Sequence, residues 1–183
     1  MVVFDTTVAL LAFRPGSPPP GDPATGRPIE HADARVSELL ERLGKARTRI
    51  VIPAPALCEL LIRAEGDVTE LVAQLSRSAT FRVEPFDTRA SIELALMTRG
   101  AMSSRDKREG VDAPYNKVRF DRQIVAIAKV SGAKTVYSDD RGLRTFAERQ
   151  GLEVVGIADL PIPQAVREPP LPLPGPTGSE GAS

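Results

Sequence analysis

Val2-Val3-Phe4-Asp5-Thr6-Thr7, at the start of the chain, sets the pattern by which the rest is read. Three apolar residues in a row, with no polar alternation, read as a short strand buried on both faces. Asp and Thr are residues that begin helices, and the stretch from about Thr6 to Phe13 reads as a helix ended by Pro15. The same alternation continues downstream. Val36, Leu39, Leu40 and Leu43 recur at helical spacing. Thr48–Ile52 reads as a second strand, and Pro53-Ala54-Pro55 opens a helix with proline in its first turn, where a missing N–H costs little. Val68, Leu71, Val72 and Leu75 mark another helix, Phe81–Val83 a strand and Thr88–Met102 a helix. Residues 117–130 form a helix, Lys134–Ser138 a strand, Leu143–Arg149 a helix and Leu152–Val155 a last strand. Strands separated by helices imply an α/β fold with parallel pairing and helices on both faces of the sheet.

Residues 15–30 break the pattern: they are rich in Pro and Gly, contain Pro18-Pro19-Pro20, and read as a loop. A polar loop of mixed charge covers Ser103–Pro114. From Pro161 onward prolines recur and the chain ends Gly-Ser-Glu-Gly-Ala-Ser, a composition expected to lack a fixed fold. The expected organisation is one domain over residues 1–160, with an insert at 15–30, and a tail over 161–183.

Bulk composition narrows the classes. The 183 residues are 42% hydrophobic and 26% charged, ordinary for a water-soluble domain. Aromatics are only 4% and Trp is absent, so no base-stacking platform stands out. Zero net charge argues against a whole-surface DNA binder but leaves room for a local basic patch. One cysteine, Cys58, allows no intrachain disulfide and fits a reducing cytosol. No apolar run approaches the ~18 residues of a membrane span, and no basic segment precedes the first strand, so no signal peptide and a cytoplasmic location are expected.

Several acids fit a bland reading poorly. Asp5 follows a buried strand, at the edge where parallel sheets bind ligands. A helix N-cap explains it equally well. Glu59 lies inside Leu57-Cys58-Glu59-Leu60-Leu61-Ile62, a helix apolar all round and therefore read as buried. A carboxylate forced inward there needs a partner, either an arginine such as Arg63 or Arg89 or a cation. Asp121 shares a helical stripe with Ile124, Val125 and Ala128, although the helix dipole would account for an exposed Asp at that place. Asp139 and Asp140 end another strand, and two adjacent acids exceed what one helix cap needs. If these groups converge, carboxylates ~4 Å apart repel by about 4 kcal/mol per pair at an effective dielectric near 20. A divalent cation relieves that repulsion at neutral pH. All-oxygen ligation selects Mg²⁺ or Mn²⁺, and such a site suits in-line displacement at phosphorus by a metal-activated water.

At these residues the chain resembles the PIN-domain ribonucleases, including VapC-type toxins of toxin–antitoxin pairs. Val2-Val3-Phe4-Asp5-Thr6-Thr7 is similar to the family's first motif, a strand ending in Asp followed by Ser or Thr. Pro53-Ala54-Pro55-Ala56-Leu57-Cys58-Glu59-Leu60 resembles the second, and Phe120-Asp121-Arg122-Gln123-Ile124-Val125-Ala126-Ile127-Ala128 the third. Tyr137-Ser138-Asp139-Asp140 resembles the fourth, whose register makes Asp140 the family acid and Asp139 the variable position. The match runs from residue 1 to about 160, with a longer insert at 15–30 and an extended loop at 103–114 as departures. The resemblance implies a three-layer α/β/α sandwich with a central parallel sheet and Mg²⁺ or Mn²⁺ at the site. It also implies an RNA substrate, a homodimer, and an antitoxin protein that blocks the acidic groove. The expected activity is metal-dependent endoribonuclease, with Asp5, Glu59, Asp121 and Asp140 as catalytic residues and metal ligands and Asp139 as a further ligand.

Thr6 and Ser138 are candidates for orienting a carboxylate or a metal-bound water, or for plain capping. Arg99, Arg105, Lys107, Arg108, Lys117, Arg119 and Arg122 concentrate positive charge that could track a phosphate backbone, or form a solvated face diluted by Asp106, Glu109 and Asp112. His31, the only histidine, reads as structural, and Cys58 as core. Two rival readings remain. A haloacid-dehalogenase-like phosphohydrolase would want Asp-x-Asp at the first strand, where this chain has Thr7. The other is a catalytically idle protein-interaction domain of the same fold.

Overall fold

A computed structural model describes residues 1–63, 68–102 and 115–167. The strands β1 (Val2–Phe4), β2 (Ile50–Pro53), β3 (Phe81–Glu84), β4 (Thr135–Tyr137) and β5 (Glu153–Val155) form one sheet in the order β3-β2-β1-β4-β5. Every pairing is parallel. The chain steps outward from β1 to β2 and β3, then returns and steps the other way through β4 and β5. Right-handed crossovers then put α1 (Thr6–Phe13), α2 (Ala32–Lys45), α3 (Ala54–Arg63) and α4 (Val68–Arg77) on one face. They put α5 (Thr88–Met102), α6 (Tyr115–Val130) and α7 (Arg141–Arg149) on the other. The result is the three-layer α/β/α architecture expected from the alternation.

The strand interiors show why these residues pair. All of β1 and β2 is buried, whereas the edge strands β3 and β5 keep exposed positions. Phe4 meets Phe81 and Tyr137 edge-on, with ring centroids 6.4 and 5.4 Å apart, so one aromatic links the centre of the sheet to both sides. In α6 five consecutive residues, Ile124 to Ala128, are buried. A helix submerged that deeply holds whatever its earlier turns carry in a fixed position.

Three expectations need correction. Helix α3 is not buried all round: Pro55, Ala56 and Leu60 face the core, while Cys58 is exposed and Ile62 is 79% exposed. The helix covers one side of the sheet and turns its other side outward, so an apolar sequence alone did not fix its environment. Cys58 is therefore a surface thiol rather than core. Within the stretch read as lacking a fixed fold, residues Gln164–Arg167 form a short helix, α8, while 168–183 lie outside the described residues. The chain ahead of α8 is tied down by Arg35, whose guanidinium donates to the carbonyls of Ala158 (3.0 Å) and Leu160. The 15–30 segment has the expected irregular path, closed by a Gly21–Pro28 bridge and an Asp22 turn that accepts from the Ala24 and Thr25 amides.

Leu60 is fully buried one residue beyond Glu59. Leu60→Ala is expected to cost about 2–5 kcal/mol of stability, the range for a truncated core leucine. Urea unfolding would measure it, and a loss below ~1 kcal/mol would show α3 to be loosely seated.

Candidate active site

Parallel pairing places Phe4 opposite Tyr137, and the Asp5 amide donates to the Tyr137 carbonyl at 3.1 Å. The residues after β1 and after β4 are thereby neighbours. They lie where the strand order reverses, the place at which open parallel sheets leave a crevice. Asp5 divides its carboxylate between two tasks. Oδ1 caps α1, accepting from the amides of Thr7 (2.9 Å) and Val8 (3.2 Å). Oδ2 accepts from the Ser138 hydroxyl, which is itself wholly buried. The Ser138 oxygen also accepts from the Asp140 amide at 3.1 Å, so one hydroxyl fixes both strand ends.

Two helices bring further acids to this edge. Glu59, in the second turn of α3, accepts from the Thr6 hydroxyl at 3.0 Å and lies 3.7 Å from the Arg63 guanidinium. Its side chain is 43% exposed, so it stands at the rim and is not forced into the core as expected. Asp121 projects from α6, one turn after Lys117. The Lys117 ammonium is paired with Asp140 Oδ2, while Asp140 Oδ1 caps α7 by accepting from the Leu143 amide at 2.9 Å. Asp139 turns elsewhere. Its Oδ1 accepts from the Ile157 amide at 2.8 Å and its buried Oδ2 has no hydrogen-bond partner. The turn there packs closely at Gly156: a Cβ on that residue would lie 2.8 Å from both Asp139 Oδ1 and the Arg144 guanidinium and would force those side chains to shift.

The acids that approach one another feel each other electrostatically. Burial pushes the Asp5 carboxyl up to about 6, against the pull of Ser138 and the α1 amides and with a push from Asp139. Burial also raises Asp121, to about 7. The charges of Asp140, Asp5 and Glu59 add to that rise, and Lys117 opposes it. Asp140 shows the opposite balance: burial pushes it up, but the Lys117 ammonium and the α7 amides hold it below the ordinary carboxylate range. For Asp139, burial outweighs the Ile157 amide and Arg144, so it is raised.

Asp5, Asp121, Asp140 and Glu59 thus share one field, and Thr6 and Ser138 hold two of them in place. The donor set is all hard oxygen and gathers more acids than bases, which suits a divalent cation in kind. Among the described residues, however, no three acids stand close enough to hold one ion. Lys117 takes the outer oxygen of Asp140, and Asp139 points toward the Gly156 turn instead of the crevice. Of the basic residues expected to meet nucleic acid, Arg105, Lys107 and Arg108 lie outside the described residues. Arg99 and Arg119 are exposed, and Arg122 stacks 5.2 Å from the Phe146 ring centroid. Lys117 belongs to the acidic site itself. Its spacing of four from Asp121 was the sequence signal that could have marked it as such.

No protein-family model matches the chain, nor does any curated protein. Solved structures do. A chain of VapBC2 from Rickettsia felis, solved with a DNA fragment from its promoter, superposes with a TM-score of 0.54 at 14% identity. That match covers 85% of this chain and 98% of that one. DNA-bound VapBC from Salmonella typhimurium gives 0.49 at 17% identity, covering 85% and 97%. VapC20 of Mycobacterium tuberculosis, a sarcin-ricin loop cleaving toxin, gives 0.48 at 15%, covering 79% and 94%. At these identities the likeness is one of fold, carried by the first of the three, and it agrees with the PIN-like architecture expected from the sequence.

A carboxyl whose native pKa stands above its unfolded value binds its proton more tightly when folded. It therefore favours folding at low pH and loses that contribution as pH rises through about 6 for Asp5 and about 7 for Asp121. Metal-free protein is expected to melt at lower temperature at about pH 8 than at about pH 5. Asp121→Asn, which cannot ionise, is expected to flatten that slope. Melting curves on both proteins across the interval decide it, and parallel curves would refute the assignment.

Proposed function

We propose that the chain is a divalent-metal-dependent endoribonuclease with Asp5, Glu59, Asp121 and Asp140 as its catalytic acids. The observation that carries this reading is the meeting of four acids at the carboxyl edge of the sheet, where Ser138 joins Asp5 to the Asp140 amide, Thr6 joins α1 to Glu59 and Lys117 joins α6 to Asp140. Burial and the charges of Asp140, Asp5 and Glu59 push the Asp121 carboxyl up to about 7. Asp5 and Asp140 each cap a helix with one oxygen, but caps do not require four acids from four different elements to meet, and their meeting disfavours the charged form of Asp121. Asp5, Asp121 and Asp140, with Glu59 at the rim, would hold Mg²⁺ or Mn²⁺. The bound cation would supply a water acidic enough to attack phosphorus near neutral pH and charge to steady the leaving oxygen.

The chain's own residues prepare that site. Ser138 donates to Asp5 Oδ2 and fixes the carboxylate plane, while Thr6 orients Glu59. Burial excludes water from Asp5 and disfavours the charged form of both Asp5 and Asp121, so each takes up a proton more readily than an ordinary carboxyl. A haloacid-dehalogenase-like mechanism fits less well. That chemistry wants a second acid two positions after the first, and the residue there is Thr7, which offers none. As a toxin-class nuclease the protein would work in the cytoplasm, pair with an antitoxin and associate with a second copy of itself. Exposed Ile62 on α3 and Ile92 and Leu96 on α5 provide apolar surface for such contacts. No helix among the described residues is long and apolar enough to cross a membrane.

Cleavage of a structured RNA with Mg²⁺ is expected to fall by ~100-fold or more in Asp5→Asn, the scale of losing a charge aimed at the reacting centre. Undiminished cleavage by that variant would sink the proposal.

A further inference from the structure

Lys117 lies on the same face of α6 as Asp121, one turn earlier, and its ammonium reaches across the crevice to Asp140 Oδ2. Asp140 cannot move to meet it, because its other oxygen caps α7 and its amide is held by Ser138. The lysine therefore comes to the acid. Once there it stands in the field of Asp140, Asp121 and Glu59 together, and the pairing with Asp140 does most to hold its proton on. Its own side chain is 52% exposed, with the Asp140 side chain at 23%. The lysine is thus half open to solvent, while the acid it pairs with is mostly covered.

We propose that Lys117 is an internal counter-ion of the acidic site, filling the place of a divalent cation in the cation-free protein and swinging out to solvent when one binds. This rests on the reading of the site as a cation-binding one. A lysine suits the task. Its charge is a compact point on a flexible four-carbon stem, so it neutralises without the fixed two-pronged grip of an arginine and leaves readily. Its charge offsets the mutual repulsion of Asp140, Asp121 and Glu59 in the cation-free crevice, where no three acids among the described residues are drawn to ion-holding distance. It also implies competition: each cation that binds must displace an ammonium, so affinity is lower than the carboxylates alone would give.

Mn²⁺ binding to the RNA-free full chain tests this, with free Mn²⁺ measured by electron paramagnetic resonance. Lys117→Gln and Lys117→Met are expected to bind Mn²⁺ about tenfold more tightly than wild type, a gap of about 1.4 kcal/mol. Both should melt lower than wild type in EDTA and gain more from added Mn²⁺. Lys117→Arg, whose guanidinium keeps the charge and grips Asp140 more firmly, is expected to bind Mn²⁺ no more tightly than wild type, and Asp121→Asn to bind weakly. Equal or weaker Mn²⁺ binding in both neutral variants, with wild type binding and Asp121→Asn failing to, overturns the counter-ion and leaves the nuclease reading intact. Absence of Mn²⁺ binding in every protein, the neutral lysine variants included, overturns both.

Discussion

Parallel pairing of β1 with β4, with Phe4 opposite Tyr137, lays Asp5 and Ser138 side by side at the carboxyl edge of the sheet. Most of the site follows from that adjacency. The strands that meet are distant in sequence but central in the sheet, and both run into helices whose first amides need an acceptor. Asp5 and Asp140 supply those acceptors with one oxygen each, while the other meets the Ser138 hydroxyl in Asp5 and the Lys117 ammonium in Asp140. Ser138 ties the two strand ends together from below. Once this edge is set, α3 rises from neighbouring β2 and α6 packs beside it, which brings Glu59 and Asp121 to the same place.

Much of the fold was legible because its strands are short runs of Val, Ile and Phe and its helices follow with clear starts. Val2–Phe4 and Ile50–Pro53 are buried throughout, as unbroken apolar runs imply. Positions beyond the strand ends were also legible, since a parallel sheet gathers them on one edge. Depth was not. Leu57 to Ile62 looks submerged, yet α3 has an open side, and only tertiary packing decides which side that is. The 164–167 helix escaped notice because four residues carry no periodicity and proline dominates their surroundings.

The adjacent acids Asp139 and Asp140 show where sequence and geometry divide the work. Both follow β4, and residue type cannot separate them. Backbone direction can: one carboxylate is captured by the Ile157 amide and the close turn at Gly156, the other by the start of α7 and Lys117. The electrostatics then diverge, with one acid raised by burial and the other lowered by an ammonium. A two-residue motif thus becomes one structural group and one group facing the crevice.

Asp5 and Asp140 each serve a helix start and the crevice with the same carboxylate. Asparagine starts helices about as well as aspartate does. A single replacement at either position therefore leaves the architecture nearly untouched while erasing a charge. The fold exerts little pressure to retain its own acids, so in a lineage only selection on what the crevice does can keep them. Descendants released from that selection would persist as intact, inert copies of the same shape.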